Sequence, residues 1–230
     1  MGKWDALVKG ALLHDIGKVV YRANQGTDAH SKRGAAFIEP YFSDMGLKQS
    51  ITHCLKYHHG KELSVAQLKN DDYAYIVYEA DNIAAAVDRR DLEEGENTST
   101  QKFDKELPLQ SIFRVFGGNT SNKPLQYYLR GIDVRDKTIR ASSDKYKALY
   151  DVLAQNFQQQ PIDKMSVNEL LRIYEDTVSY MPSSTATDQA NDISLYMHSK
   201  ITAAVAHSMV HYFEEQGITD YKEYCYQNSK

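Results

Sequence analysis

The 230-residue sequence fits one large domain or two small ones, and its 42% hydrophobic content is enough for a real core. Its formal charge of −4 carries no global bias towards nucleic acid, so any such contact must come from local basic patches or through metal ions. No run approaches the roughly 18 apolar residues of a membrane span, no signal-peptide pattern is visible, and Cys54 and Cys225 lie far apart without zinc-type spacing, which together predict a cytoplasmic protein with free thiols.

Taken in order, residues 4–22 predict a helix, with Ala6, Leu7, Ala11, Leu12, Ile16, Val19 and Val20 at three- and four-residue spacing. Within it lies Leu-Leu-His-Asp-Ile-Gly-Lys, residues 12–18. His30 opens a second helix that stops at Pro40. A third covers about 48–59, and Gly60 is its expected C-terminal cap. Residues 61–70 read as a polar connection. Asp71 and Asp72 are N-cap candidates for a long helix to about residue 90, with Asp81 set in its apolar run. Residues 92–100 form an acidic, Gly/Ser/Thr-containing loop. Residues 101–142 read as an irregular insertion. It holds an apolar segment at 112–116 and a possible hairpin pairing 125–132 with 137–141. Further helices are expected at 145–157, at 167–180 with Ser166 or Asn168 as cap, and at 194–216, closed by Gly217. Residues 218–227 begin a strand or a linker.

The chemistry lies in the histidines and two aspartates. A His14–Asp15 pair among apolar neighbours needs a partner, because unpaired burial is costly. A buried hydrogen-bonded pair and a metal site both answer that need. Imidazole beside carboxylate suits a transition metal. Lys18, four residues after His14, falls on the same face of a continuous helix. Asp81 in its apolar run needs a ligand, a proton or an exposed face. His53, His207 and His211 read as structural or surface histidines.

The order His14-Asp15, His30, His58-His59, Asp81 and, far downstream, His198 resembles the HD superfamily of metal-dependent phosphohydrolases, circularly permuted so that the leading His returns as His198. More closely, His14-Asp-Ile-Gly-Lys18, His30-Ser-Lys, Tyr57-His-His59, Ala80-Asp-Asn-Ile83 with Asp88-Arg-Arg90, Pro182-Ser-Ser-Thr185 and Asp192-Ile-Ser-Leu-Tyr196 with His198 resemble the N-terminal HD nuclease domain of the large subunit of type III-A CRISPR (Csm) effector complexes. One departure stands beside the last motif. That family usually has Asp directly before the downstream His, where this chain has Met197.

The resemblance implies a mainly α, circularly permuted HD domain over residues 1–217, with an insertion at about 93–165. Residues 218–230 would be a linker or the start of a following palm domain. It implies two divalent transition-metal ions, with Mn, Ni or Co favoured and Fe, Zn or Mg possible. Asp15 would bridge them; His14, Asp81 and His198 would complete one ligand set and His30, His58 and His59 the other. His14, Asp15 and Lys18 would act in hydrolysis of single-stranded DNA by a metal-activated water. Lys32, Arg33, Arg89 and Arg90 could track the strand, with some of the 17 tyrosines stacking on bases. Partners would be the other subunits and the crRNA of the complex, with no membrane. The family's Gly-Gly-Asp-Asp motif for oligoadenylate synthesis does not occur here. The competing expectations are an HD phosphohydrolase acting on nucleotides and a catalytically weak HD assembly module, which Met197 would favour.

Overall fold

The computed structural model describes residues 2–88, 103–112, 129, 140–187 and 191–227, with the side chains of residues 87 and 88 excepted. Arg89, Arg90, the 92–100 loop, most of the 112–116 segment and all of the expected hairpin except Leu129, Arg140 and Ala141 lie outside the described residues. Within them the chain is mainly helical, and isolated β-bridges pair Phe103 with Ala186 and Pro182 with Ser194.

The expected first helix is two. Helix α1 (Asp5–Leu13) and α2 (Gly17–Arg22) are separated by a tight turn at His14, Asp15 and Ile16. Here Ile16 N–H donates to Leu13 O, Lys18 N–H to Asp15 O and Val19 N–H to Ile16 O, each at 2.9–3.0 Å. These i→i+3 bonds tighten the winding and eclipse side chains three apart. Lys18 therefore meets Asp15 and not His14, and its ammonium lies 2.5 Å from Asp15 Oδ2.

Helix α3 (His30–Ile38) runs into a 3₁₀ turn at Pro40. Helix α4 (Met45–Lys56) starts on the Asp44 side chain, which accepts from Leu47 N–H at 2.9 Å. It ends at Tyr57, before the expected boundary, and Gly60 opens a new helix, α5 (Gly60–Val65), where a polar connection was expected. Helix α6 (Tyr73–Asp88) starts where Asp72 Oδ1 accepts from Ala74 N–H. Helix α7 (Ser143–Gln159) buries Tyr146, Leu149, Leu153 and Phe157 along one stripe. Helix α8 (Val167–Val178) has a reciprocal cap between Ser166 and Glu169. Helix α9 (Leu195–Glu215) is capped by Ser194 and followed by Gly217 at φ 66°. Residues 223–227 form a π-helical turn where a strand or linker was expected, and Tyr221 and Cys225 are buried there.

Helix α9 lies against α6 and α1, while α1 also packs on α4 and α2 on α3 and α7. The buried face of α9 includes the small Thr202, Ala203 and Ala206, which permit a close approach. Leu7, Leu12, Leu13, Ile16, Ile38, Ile51 and Leu55 are fully buried around it, each contributing roughly 1.5–3 kcal/mol relative to exposure. Two buried cations pin this core to later segments through backbone carbonyls. Lys9 donates to Ile162 O at 3.1 Å, and Arg22 to Pro182 O at 2.6 Å and Ser183 O at 3.3 Å. The second clamp, with the Pro182–Ser194 bridge and Leu195 N–H donating to Met181 O, fixes where α9 begins. No helix among the described residues is long and apolar enough to cross a membrane.

Candidate metal centre

The α1–α2 turn supplies His14 and Asp15, the first residue of α3 supplies His30, and the α4–α5 link supplies His58 and His59. Asp81 comes from α6 and His198 from the first turn of α9. The fold gathers the other six around Asp15. Its Oδ2 faces His14 Nε2 at 3.5 Å and His198 Nε2 at 3.6 Å. Its Oδ1 faces His30 Nε2 at 3.2 Å and His58 Nε2 at 3.7 Å. Asp81 Oδ1 lies 3.4 Å from His14 Nε2 and 3.0 Å from His198 Nε2. His59 Nε2 lies 2.9 Å from His30 Nε2. Two clusters result, His14–Asp81–His198 and His30–His58–His59, and in each the potential ligand atoms lie within 4.8 Å of one another.

Two rings are aimed by the backbone. His14 Nδ1–H donates to Ala11 O, and His58 Nδ1–H to Leu55 O, both at 2.7 Å. Each bond reaches back one helical turn and turns Nε2 inward. There His14 Nε2, Asp15 Oδ1 and His58 Nε2 are fully buried with no hydrogen-bond partner among the described residues. Buried polar atoms are rarely left so. Nitrogen and carboxylate donors converging this closely fit a divalent cation.

Burial opposes the charge on Asp15, but Lys18 and His14 outweigh it and hold the carboxyl well below 3.8. Asp81 is likewise held low against its burial, chiefly by His14 and His198. Burial also opposes protonation of His14, yet Asp15 and Asp81 raise its imidazole to about 10. His58 is driven well below 6.5 by burial and by His59 and His14, and His59 is lowered by burial and by His30. The two halves thus differ: burial favours neutral His58 and His59, whereas His14 must give up a proton to bind.

The remaining predicted residues stand apart. Lys32 is exposed, two residues past His30 and so on another side of α3, where it lines a groove with Lys56, Tyr57 and Lys61. Arg33 folds back onto its own loop, bonding the carbonyls of Asp28 and Gln25 over the Tyr21 ring. Met197 is 45% exposed in the first turn of α9, with its N–H bonded to Ser194 Oγ. His53 pairs with Asp72 at 2.7 Å. Sequence reasoning missed the role of Gly17 and Gly34. A Cβ on Gly17 would lie 1.8 Å from His30 O and 2.7 Å from Gly34 N, so only glycine there lets α3 bring His30 up to Asp15. The signal available was the Gly that follows the His-Asp pair.

The family profile described as the HD domain matches residues 3–86, a stretch that holds His14, Asp15, His30, His58, His59 and Asp81 and leaves His198 outside. Two curated relatives carry the name CRISPR system single-strand-specific deoxyribonuclease Cas10/Csm1 (subtype III-A). The Enterococcus italicus protein is 38% identical over 97% of this chain, and the Streptococcus thermophilus protein 34% over 94%. A crystal structure of a Csm1–Csm4 cassette in complex with pppApA superposes with a TM-score of 0.61 at 26% identity, over 95% of this chain and 28% of that one. The chain thus matches the HD domain profile and is similar, over nearly its whole length, to Cas10/Csm1 proteins of subtype III-A. It spans about a third of the length of those curated relatives (31% and 29%). The match to the HD domain implies a divalent metal.

Proposed function

We propose that this chain is the metal-dependent nuclease domain of a type III-A effector subunit, hydrolysing the phosphodiesters of single-stranded DNA. One observation carries the reading: a buried carboxylate turns one oxygen to each of two three-residue clusters, and three of the inward-facing atoms, His14 Nε2, Asp15 Oδ1 and His58 Nε2, have no hydrogen-bond partner among the described residues. In this reading His14, Asp81 and His198 hold one ion, His30, His58 and His59 the other, and Asp15 serves both. The nitrogen-rich sets suit a transition metal over Mg, and the family resemblance favours Mn, Ni or Co, with Fe, Zn or Mg possible. When bound, the ions neutralise phosphate charge and make water nucleophilic near neutral pH. The chain's own residues do the rest. The Ala11 and Leu55 carbonyls fix two imidazoles, Asp15 keeps its charge throughout the neutral range, and Lys18, at the half-open edge of the centre, offers its spare N–H groups to a phosphate oxygen.

The relatives' printed names support the single-stranded DNA substrate. The Csm1–Csm4 structures support assembly with other subunits through the longer protein, and this reading adds the crRNA of the complex as a partner. In this reading residues 1–217 form the HD unit, and it works in the cytoplasm.

The test is cleavage of labelled single-stranded DNA with Mn, Ni, Co or Mg, and with EDTA. Wild type is expected to cut with the transition metals and stop with EDTA. Asp15→Ala and His14→Ala are expected to lose on the order of 10²-fold or more, a barrier change of about 3 kcal/mol. Undiminished cutting by Asp15→Ala overturns the reading. Hydrolysis of free nucleotides without DNA cleavage would move the chain to the nucleotide phosphohydrolases.

A further inference from the structure

Far from the centre, α9 carries another pair of facing imidazoles. His207 and His211 are exposed and one turn apart, with Nε2 atoms 3.2 Å from each other and ring planes 89° apart. No carboxylate pairs with either among the described residues. His207 lies nine residues past His198, about two and a half turns, and so on the opposite face and roughly 13 Å along the axis. His198 is buried, and this pair faces solvent. The site is therefore separate from the one around Asp15.

Two imidazole nitrogens at this separation need something between them, a shared proton or a cation. Zinc–imidazole bonds of about 2.0–2.1 Å place two nitrogens roughly 2.9 Å apart at a right angle and about 3.4 Å apart at a tetrahedral angle. The observed 3.2 Å falls within that span. His30 and His59 face each other similarly, at 2.9 Å. The i,i+4 spacing on a formed helix presents both rings on one side without rearrangement.

We propose that His207 and His211 form a surface site for one borderline divalent cation of the Ni, Cu or Zn class, with water in the remaining positions. A pure imidazole pair discriminates against Mg and Ca, which take oxygen ligands, and Mn stands lowest in the affinity order for such sites. A chain loaded with Ni therefore carries one more ion than the centre accounts for, whereas a chain loaded with Mn does not.

Equilibrium dialysis against Ni and, separately, Mn tests this on the wild-type chain, His207→Ala, His211→Ala and the double variant His14→Ala/His58→Ala. Circular dichroism verifies the fold of each. Both surface variants are expected to bind one Ni fewer than wild type, with Mn stoichiometry unchanged. The double variant is expected to retain the surface Ni. Equal Ni stoichiometry in wild type and the surface variants overturns the proposal, as does loss of Mn from them.

Discussion

Asp15 works through both oxygens, which is why its position matters more than its charge alone. A carboxylate reached from one side could complete only one cluster. Here the tight turn lifts Asp15 off the regular helix and presents Oδ1 and Oδ2 to different histidines. Met197 is a contrasting residue. In sequence it is the main argument for a weakened centre. In the structure it is exposed in the first turn of α9, and its neighbour His198 still reaches Asp81 at 3.0 Å. An aspartate there would sit near the positive end of the helix. Met197→Asp is therefore expected to stabilise the chain by about 0.3–1 kcal/mol and to change DNA cleavage by less than about twofold. Urea unfolding read beside the nuclease rate checks both. A tenfold gain in rate would show that position 197 acts on the centre after all.

At the scale of elements, apolar spacing located most helices but could not divide them. Leu12, Ile16, Val19 and Val20 keep the same spacing whether or not the backbone tightens at residues 14–16, so periodicity extends one helix across the break that holds the site. Gly60 follows an apolar helix and looks like a stop, yet it begins α5 and leaves His59 in an extended N-cap position facing His30. The return of His198 was legible only through the family resemblance, since nothing local in α9 points to Asp81. The Gly17–Gly34 contact left only one sequence signal, the Gly just past the His-Asp pair, because close approach of two backbones leaves no periodic trace. Gly17→Ala tests it. The added methyl meets the His30 carbonyl, a rigid neighbour, so α2 and α3 must part. A loss of about 1–3 kcal/mol is expected in urea unfolding, in line with overpacking, together with weaker Mn binding by calorimetry. A change confined to stability would place the glycine outside the site's geometry.

For the molecule as a whole, the buried charges tie stability to pH. His14 is raised, so its contribution is complete below its ordinary 6.5 and is lost as pH climbs through about 10. Asp15 and Asp81 are lowered, so theirs is present above 3.8 and is lost as pH falls through their depressed values. His58 and His59 are lowered, so the fold gains stability as pH rises from their depressed values to 6.5, and with His14 acting in the opposite sense above that point the metal-free chain should be most stable near pH 6.5. A cation at the centre displaces the His14 proton, and each pH unit nearer 10 lowers that cost by about 1.4 kcal/mol. The rise in Tm with excess Mn is expected to be larger at about pH 8.5 than at about pH 6, by an amount equivalent to about 3 kcal/mol. Differential scanning calorimetry measures it, and an equal or smaller rise at the higher pH would contradict the pairing of His14 with Asp15 and Asp81.

The clamp of Arg22 and the Pro182–Ser194 bridge set the start of α9 so that His198 meets Asp15 of the α1–α2 turn and Asp81 of α6. An ion held by His14 and His198 would then join the first helical pair to the last helix and close nearly the whole described chain into a ring. Such a closure restricts the unfolded chain as a long-range cross-link does. Chelation should accordingly loosen the molecule first where the ring shuts, raising amide hydrogen exchange in the opening turns of α9 before it reaches α4 or α7.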